Sequence, residues 1–220
     1  MSNYFWESKP TLSANSLRWK SNEKTFLYWD GSKNVSISPP LKFYVIATTM
    51  KFVWFSPSLE KWIWSNEVQN TKKEILTVKA WNTFIQSWFY DKIKDEVAKA
   101  WWKYCSVLYC YNPKEKDMFK LELSWASLAS WIGNKFNTSK WPIVWAGFEE
   151  WKKWATNYSF ATFEQPKGDI PIKEYEQVMD KVQEVKDFFK EQKDYYDKTE
   201  KDLKKSFWIE EELKPENLPF

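Results

Sequence analysis

The sequence contains no histidine, one arginine and two cysteines among its 220 residues. Without histidine, neither a Ser-His-Asp triad nor a Cys-His pair can form. Cys105 and Cys110 cannot by themselves complete a four-ligand zinc site of cysteine and histidine. They are five residues apart in a strand-like segment, so we expect them to point to opposite faces as buried free thiols. Enzyme chemistry is thereby restricted to carboxylates, lysine and magnesium, and we expect no enzyme and no cofactor.

Long apolar runs are also absent. No segment approaches the ~18 apolar residues that a membrane-spanning helix requires. The N-terminus, Met1-Ser2-Asn3-Tyr4, lacks the basic region and apolar stretch of a secretory signal. We therefore expect a cytoplasmic protein, in a bacterial cell or in a phage-infected host.

Glycine is scarce and tryptophan abundant, with 4 Gly and 17 Trp. An average usage of ~7% would give about 15 glycines in a chain of this length. Trp29 stands before a turn signal, Asp30-Gly31, and Trp141 precedes a proline, which are places typical of glycine. Some bacteria and their phages read the codon UGA as glycine, and translating UGA as tryptophan would produce this pattern. We interpret most of the tryptophans as glycines of the natural protein, with Trp131 on an apolar face as a genuine one. The alternative is a tryptophan-rich protein with stacking platforms.

The charge is carried by lysine and is unevenly distributed. Residues 171–220 contain 10 Lys and 14 Asp and Glu, whereas the remaining 170 residues contain 23 Lys and Arg against 16 Asp and Glu. A basic body with an acidic end is typical of a protein that binds polyanions.

Short β-branched, aromatic or alternating segments dominate the middle of the chain, and they predict strands with helices between them. Asp91 begins a helical pattern that reaches Ala100, and a short helix is predicted over residues 127–136. The predicted strands cover residues 41–55, 73–79, 83–90, 103–111, 118–124, 142–148 and 158–163.

We interpret this pattern as a mainly β fold with helices (α+β), in which a small barrel resembles the five-stranded oligonucleotide-binding (OB) fold. A β-sandwich or another α+β sheet is the alternative. The expected organisation is an N-terminal arm over residues 1–38, the OB-like single-stranded DNA-binding domain over 39–166, a charged helical segment over 170–207, and an acidic tail over 208–220.

The helical segment carries a seven-residue repeat. Apolar or aromatic residues recur at Tyr175, Val182, Phe189, Tyr196 and Leu203. The repeat is compatible both with a helix packed on its own domain and with a coiled-coil contact in a homo-oligomer.

The C-terminus reads Ile-Glu-Glu-Glu-Leu-Lys-Pro-Glu-Asn-Leu-Pro-Phe. An acidic segment with a small apolar tip ending in Pro-Phe resembles the tail of bacterial and phage single-stranded DNA-binding proteins. The resemblance implies a role in DNA replication, recombination or repair, with the tip recruiting partner proteins. A terminal ring can fill an apolar pocket while the carboxylate meets a basic residue. The predicted partner-binding residues are Glu210, Glu211, Glu212, Leu218, Pro219 and Phe220.

In the body, lysines alternate with aromatic residues. Single-strand binders combine a basic groove with aromatic faces on which bases stack. Of adjacent aromatic residues on a strand one faces outward, and we expect Tyr44 and Tyr104 to do so. Lysine contacts phosphates without reading bases, so binding should be non-sequence-specific. The predicted DNA-binding residues are Tyr44, Lys51, Lys73, Lys79, Lys103, Tyr104, Tyr109, Tyr111 and Lys120.

Two other functions stay open at the level of sequence. One is a metal-dependent nuclease, although no acidic pair has, together with a lysine, a spacing typical of a nuclease metal site. Its magnesium ligands would come from Glu67, Glu74, Asp91, Asp95 and Glu122. A phage structural or scaffold protein could assemble through the helix of residues 172–206.

Overall fold

The computed structural model describes residues 12, 14–56, 60–74, 76–80, 83–88, 90, 103–139, 141–153, 156–168 and 170–207. Within these residues the chain is mainly β, as the sequence predicts, and includes two helices. Neither described helix combines the length and apolar character needed to cross a membrane. The helices are α1 (Trp125–Asn134) and α2 (Ile172–Phe207). The strands are β1 (Asn15–Lys20), β2 (Thr25–Trp29), β3 (Asn34–Ile37), β4 (Leu41–Ser56), β5 (Lys61–Ser65), β6 (Leu76–Ala80), β7 (Thr83–Trp88), β8 (Lys103–Asn112), β9 (Asp117–Ser124), β10 (Ile143–Lys153) and β11 (Thr156–Glu164).

The described strands pair into an open mixed sheet. Its main path runs β3-β2-β1-β9-β8-β4-β5-β6-β7, and the hairpin of β10 and β11 joins at β4. The pairings are antiparallel except for β1 with β9, which is parallel. A parallel pair needs a long connection, and here it joins strands that are a hundred residues apart in sequence.

Strand β4 organises the sheet because it has three partners. Residues Leu41–Phe43 pair with β10, Tyr44 to Val53 pair with β8, and Val53 to Ser56 pair with β5. Its sequence is rich in β-branched and aromatic residues, which favour a long strand. The strand therefore links the body of the sheet to the smaller extension of β5, β6 and β7.

The main core lies on one face of β1, β2, β4, β8, β9, β10 and β11. Strand β9 shows why: Phe119, Leu121 and Leu123 alternate with less buried residues, so that one face of the strand is apolar. Helix α1 adds Leu128 to this core. It ends at Asn134, and the capping residue Lys135 has a left-handed backbone (φ 48°) and donates its N–H to the carbonyl of Ile132.

The two cysteines are free and buried, as expected. Cys110 belongs to the main core. Cys105 lies near Lys51 and Glu122 and interacts electrostatically with both. Burial raises the pKa of both thiols. The two side chains lie on opposite faces of β8, in agreement with their odd spacing.

By its contacts the chain divides into two compact units, one of them Ser13–Val182. The second unit includes the C-terminal part of α2, from Gln183 onward. In that part Val185 and Phe188 are buried.

Most predicted elements are present. Strands β4, β6, β7, β8, β9, β10 and β11 and both helices correspond to predicted segments, with β6 beginning at Leu76 instead of residue 73. The predicted helix of residues 91–100 lies outside the described residues.

The predicted N-terminal arm requires a correction. The hairpin signal at Asp30-Gly31 does connect two paired strands, β2 and β3. However, Leu17 and Phe26 belong to the main core. Residues 15–37 are therefore part of the sheet, and not an arm separate from it.

Candidate nucleic-acid interface

The site residues lie mostly on the face of β4, β8 and β9 that points away from the main core, which we call the outer face. Strand β8 sends Leu108 and Cys110 into the core, so Tyr109 and Tyr111 point outward. Tyr109 is paired with Lys120 across the β8–β9 ladder, and Tyr111 is paired with Tyr44 of β4. The alternation of the strands therefore brings several predicted binding residues together.

One part of the outer face is organised by Glu67. Its carboxylate accepts hydrogen bonds from the Tyr109 hydroxyl and, at 3.2 Å, from the Thr49 hydroxyl. The Nζ atom of Lys120 lies 3.2 Å from the same carboxylate and 4.7 Å from the centre of the Tyr109 ring. The lysine and the tyrosine are thus both occupied by intramolecular contacts.

A second part is organised by Glu122. Its carboxylate lies 2.8 Å from Lys51 Nζ and 3.2 Å from Arg18 Nε, and it accepts a hydrogen bond from the Ser16 hydroxyl. Burial alone would raise the pKa of Glu122, but the charges of Lys51 and Arg18 outweigh it, and the pKa is lowered. The Glu122 carboxylate is therefore ionised, and the cations Lys51 and Arg18 balance its negative charge.

A third part is organised by Glu174 of α2. Its carboxylate accepts a 2.5 Å hydrogen bond from the Tyr44 hydroxyl and lies 2.6 Å from Lys42 Nζ. Burial and the adjacent carboxylate raise the pKa of Tyr44. Burial would raise the pKa of Glu174, but the hydrogen bonds from Lys42 and Tyr44 and the lysine charge lower it. One turn further along α2, the side-chain oxygen of Gln177 lies 3.4 Å from the Tyr111 hydroxyl.

A more open surface lies where β8 begins. Phe55 of β4 is 45% exposed and lies on the same face as Lys103, whereas Tyr104 is 38% exposed on the opposite face, beside Phe52 and Met50. Lys103 Nζ lies 5.8 Å from the ring centres of both Trp62 and Trp125, within the range of cation–π attraction. On this face the ring of Phe55 and the charge of Lys103 are open to a ligand.

The predicted DNA-binding residues therefore fall into two groups. Tyr44, Tyr109 and Tyr111 are buried, and Lys51 and Lys120 are held in ion pairs. Tyr104 and Lys73 are exposed, and Lys103 is partly exposed. Lys79 lies on β6 in register with Trp64, and its side chain is not among those described. The predicted tail residues, from Glu210 to Phe220, also lie outside the described part of the chain.

The expectation that Tyr44 faces solvent is corrected. Its neighbour Phe43 enters the core, so Tyr44 does point to the opposite face. Yet Tyr44 is only 5% exposed, because that face is covered by the first turns of α2. Alternation along a strand determines which face a side chain occupies, and not whether another element covers that face.

Sequence reasoning missed the residues that complete these clusters: Arg18, Lys42, Glu67, Glu122 and Glu174 as binding partners, and Phe55 as an exposed ring. For Lys42 a signal was present, because residues two apart on a strand share a face and Lys42 is two residues before Tyr44. No local signal connects Glu174 with Tyr44, which is 130 residues away.

The described tryptophans also differ in their surroundings. Trp145 is fully buried, and Trp19 and the predicted genuine Trp131 pack against the same core. The exposed ones include Trp125, which is 61% exposed and has a positive φ of 50°. A positive φ is common for glycine and uncommon for other residues. The remaining large exposed indoles are Trp29, Trp62, Trp64 and Trp151.

The acidic residues considered for a magnesium site do not converge in the described part of the chain. No group of three or more Cys, Asp or Glu there has the geometry to hold a metal ion. Glu67 and Glu122 are paired with different lysines, and Glu74 accepts a hydrogen bond from the backbone N–H of Asn70. Asp91 and Asp95 lie outside the described residues.

Comparisons with known proteins supply no relative from which a function could be transferred. The sequence matches no protein-family model, and searches of curated proteins and of solved structures return no match.

Proposed function

We propose that the protein is a non-enzymatic, non-sequence-specific single-stranded DNA-binding protein built on an OB-like body. The observation that carries the proposal is the connectivity of five strands. Strands β4, β8 and β9 pair in succession and antiparallel, α1 follows, and the β10–β11 hairpin returns to the start of β4. The OB fold is a five-stranded, partly open Greek-key barrel that binds single strands on its second and third strands and adjacent loops. In this assignment those strands are β8 and β9.

Closure of such a barrel would be completed by β1. This strand pairs in parallel with β9 on one side. Near the end of β1, two hydrogen bonds connect it to Ser159 of β11. The Ser159 N–H donates to the Ser21 hydroxyl at 2.6 Å, and Trp19 Nε1 donates to the Ser159 carbonyl at 2.8 Å. These bonds support the assignment of β1 to the gap between β9 and β11.

The exposed ring of Phe55 and the charge of Lys103, which lie on the same face of the sheet, are the proposed first contact with DNA. Stacking of a base on an aromatic side chain contributes about 1–3 kcal/mol. Lysine attracts phosphates as a point charge and does not discriminate bases. The excess of positive charge outside residues 171–220 favours the same ligand.

The acidic tail is proposed to dock on replication, recombination or repair proteins through Leu218, Pro219 and Phe220. Its acidic residues Glu210, Glu211 and Glu212 would also compete with DNA for the basic body. This division assigns DNA affinity to the body and partner recruitment to the tip.

We also propose that exposed tryptophans such as Trp125 are glycines in the natural protein, through reading of UGA as glycine. The positive φ of Trp125 supports this. Trp19, Trp131 and Trp145 are proposed to be genuine, since indoles fill space in the core there. The stacking surface is therefore argued from Phe55, whose identity does not depend on that codon.

The test is fluorescence anisotropy with labelled oligo-dT of about 20 nucleotides, at low and moderate salt, against a duplex of equal length. Binding to oligo-dT that weakens steeply with salt and exceeds duplex binding is expected. Absence of binding, or equal binding to duplex, contradicts the proposal, and magnesium-dependent cleavage would replace it with a nuclease.

A pair of matched variants locates the contact. Lys103→Gln should weaken binding, whereas Lys114→Gln should not. Lys114 is a highly exposed lysine in the turn at the opposite end of β8, so the two variants change net charge equally. Equal effects would contradict the proposed position of the contact.

A further inference from the structure

Three carboxylates on the outer face share one pattern of contacts. Each one accepts a hydrogen bond from at least one hydroxyl group and faces at least one cation: Glu67 with Tyr109 and Lys120, Glu122 with Ser16 and Lys51, and Glu174 with Tyr44 and Lys42. A phosphodiester is an anion that accepts the same two kinds of interaction. The three positions are therefore chemically suited to phosphate, and a carboxylate of the protein fills each of them.

Glu174 differs from the other two in how it is held. Glu122 lies within β9, and Glu67 precedes Val68, whose N–H and carbonyl both bond to Met50 of β4. Moving either would break pairing in the sheet. Glu174 lies in the first turn of α2, after a connection of residues 165–171 whose described part has neither helix nor strand. The start of α2 can therefore leave the outer face without loss of any strand pairing.

We infer that Lys42 and Tyr44 form a phosphate subsite for single-stranded nucleic acid, and that the Glu174 carboxylate fills this subsite in the present structure. The inference rests on the proposed function. Binding of a strand displaces the first turns of α2, and the phosphate takes the contacts that Lys42 and Tyr44 now make with Glu174.

The geometry of the subsite suits a phosphate oxygen, because the Tyr44 hydroxyl and Lys42 Nζ both contact the same oxygen of Glu174. Lys42 Nζ lies 5.6 Å from the centre of the Tyr44 ring, so one cation and one hydroxyl lie side by side. The Tyr44 hydroxyl is protonated at neutral pH and can donate to a phosphate oxygen, because the ordinary tyrosine pKa of about 10 lies well above 7. Tyr111 lies opposite Tyr44 in the β4–β8 register, and its hydroxyl contacts only Gln177 of the same helix among the hydrogen bonds described for it. Departure of the helix would therefore expose two tyrosines together.

Competition of this kind lowers the apparent affinity for DNA. A ligand that binds only the open form has its affinity reduced by the fraction of molecules that are open. Removing the competing carboxylate should therefore raise affinity.

The experiment compares Glu174→Ala with Glu176→Ala in the full-length protein, using oligo-dT of about 20 nucleotides. Glu176 is exposed on the same helix, so both variants change net charge and helix propensity equally. Glu174→Ala should bind about fivefold or more tightly than Glu176→Ala.

Adding Lys42→Gln to Glu174→Ala should remove the gain in affinity and make the plot of log affinity against log salt shallower by about 0.7, the value for one phosphate no longer neutralised on a single strand. If the two single variants bind alike, or if Lys42→Gln leaves the gain intact, the subsite is wrong. Binding by wild type without a gain in Glu174→Ala overturns this inference alone, whereas absence of binding in every variant overturns the proposed function as well.

Hydrogen exchange in the wild-type protein provides a second measurement that needs no variant. Amides of residues 172–182 should exchange faster when oligo-dT is bound, because the start of α2 has left the sheet. Unchanged or slower exchange there, with DNA bound, would contradict displacement of the helix.

Discussion

Lys51 and Glu122 form an ion pair of 2.8 Å whose side chains are only 12% and 11% exposed. The lysine comes from β4 and the glutamate from β9, two strands that are separated by β8. The pair therefore spans the middle strand on the outer face. A buried charge without a partner is costly, so each residue depends on the other.

Replacing the lysine should destabilise the fold. Lys51→Met leaves Glu122 with Arg18 as its remaining cation, and we expect the free energy of unfolding to fall by about 3 kcal/mol, at the lower end for a broken buried pair. Urea denaturation followed by circular dichroism measures this change. Lys114→Met is the control, since its pair with Glu115 is exposed, and its effect should stay within about 0.5 kcal/mol.

Acid should weaken the fold through Glu122. Because the pKa of this residue is lowered in the folded state from its ordinary 4.5, its stabilising contribution is complete at neutral pH and is lost as pH falls below about 4.5. The free energy of unfolding of Glu122→Gln should therefore be lower than that of wild type at pH 7, with a gap that narrows toward pH 3. A gap independent of pH would show that the ionised carboxylate contributes nothing. Glu115→Gln, at an exposed position, should leave the profile unchanged.

Removing the tip should separate the two proposed activities. Deletion of Leu218, Pro219 and Phe220 should leave affinity for oligo-dT intact and abolish binding to replication or repair proteins of the same host. Anisotropy and pull-down from purified partners measure the two effects. Loss of DNA affinity on deletion would contradict the division between body and tail.

Replacing Trp125 or Trp145 by glycine should have opposite effects on the stability of the protein. Trp125→Gly should stabilise the protein by about 1 kcal/mol, because a left-handed backbone costs a residue with a side chain about that much. Trp145→Gly should destabilise it by at least about 3 kcal/mol, because it empties a fully buried site. Thermal unfolding of the two variants, made in the printed sequence, tests the assignment of one indole as glycine and of the other as genuine.

The mass of the protein isolated from its native source tests the codon interpretation directly. Each tryptophan that is naturally glycine lowers the intact mass by one indole-bearing side chain. A mass equal to the 26.7 kDa of the printed sequence would contradict the interpretation.

Local pattern was sufficient for much of the secondary structure. Alternation in β9 and the β-branched, aromatic run of β4 are properties of neighbouring residues, and both strands formed where predicted. Strands β1, β2, β3 and β5 were not predicted. The position of β1 depends on pairing with β9, a hundred residues away, which no local pattern reveals.

The candidate site was less predictable than the strands. The alternation of lysines with aromatic residues put Tyr109 and Tyr111 among the predicted binding residues, and the structure places both on the face opposite the core. This alternation could not reveal that Glu67 and the start of α2 contact them, since those contacts join segments 42 and 66 residues apart.

The sequence by itself determined the mainly β character, the position of most strands, the buried free thiols and the separation of a basic body from an acidic end. These follow from periodicity, composition and charge, which are local or additive properties. Only the tertiary structure decided which lysines and tyrosines remain open to a ligand. Lys42 and Lys103 are similar in sequence context, but Lys42 faces a carboxylate of α2 and Lys103 faces exposed rings. Charge pairing and burial depend on which segments, distant in sequence, come into contact. The packing of the whole sheet determines those contacts.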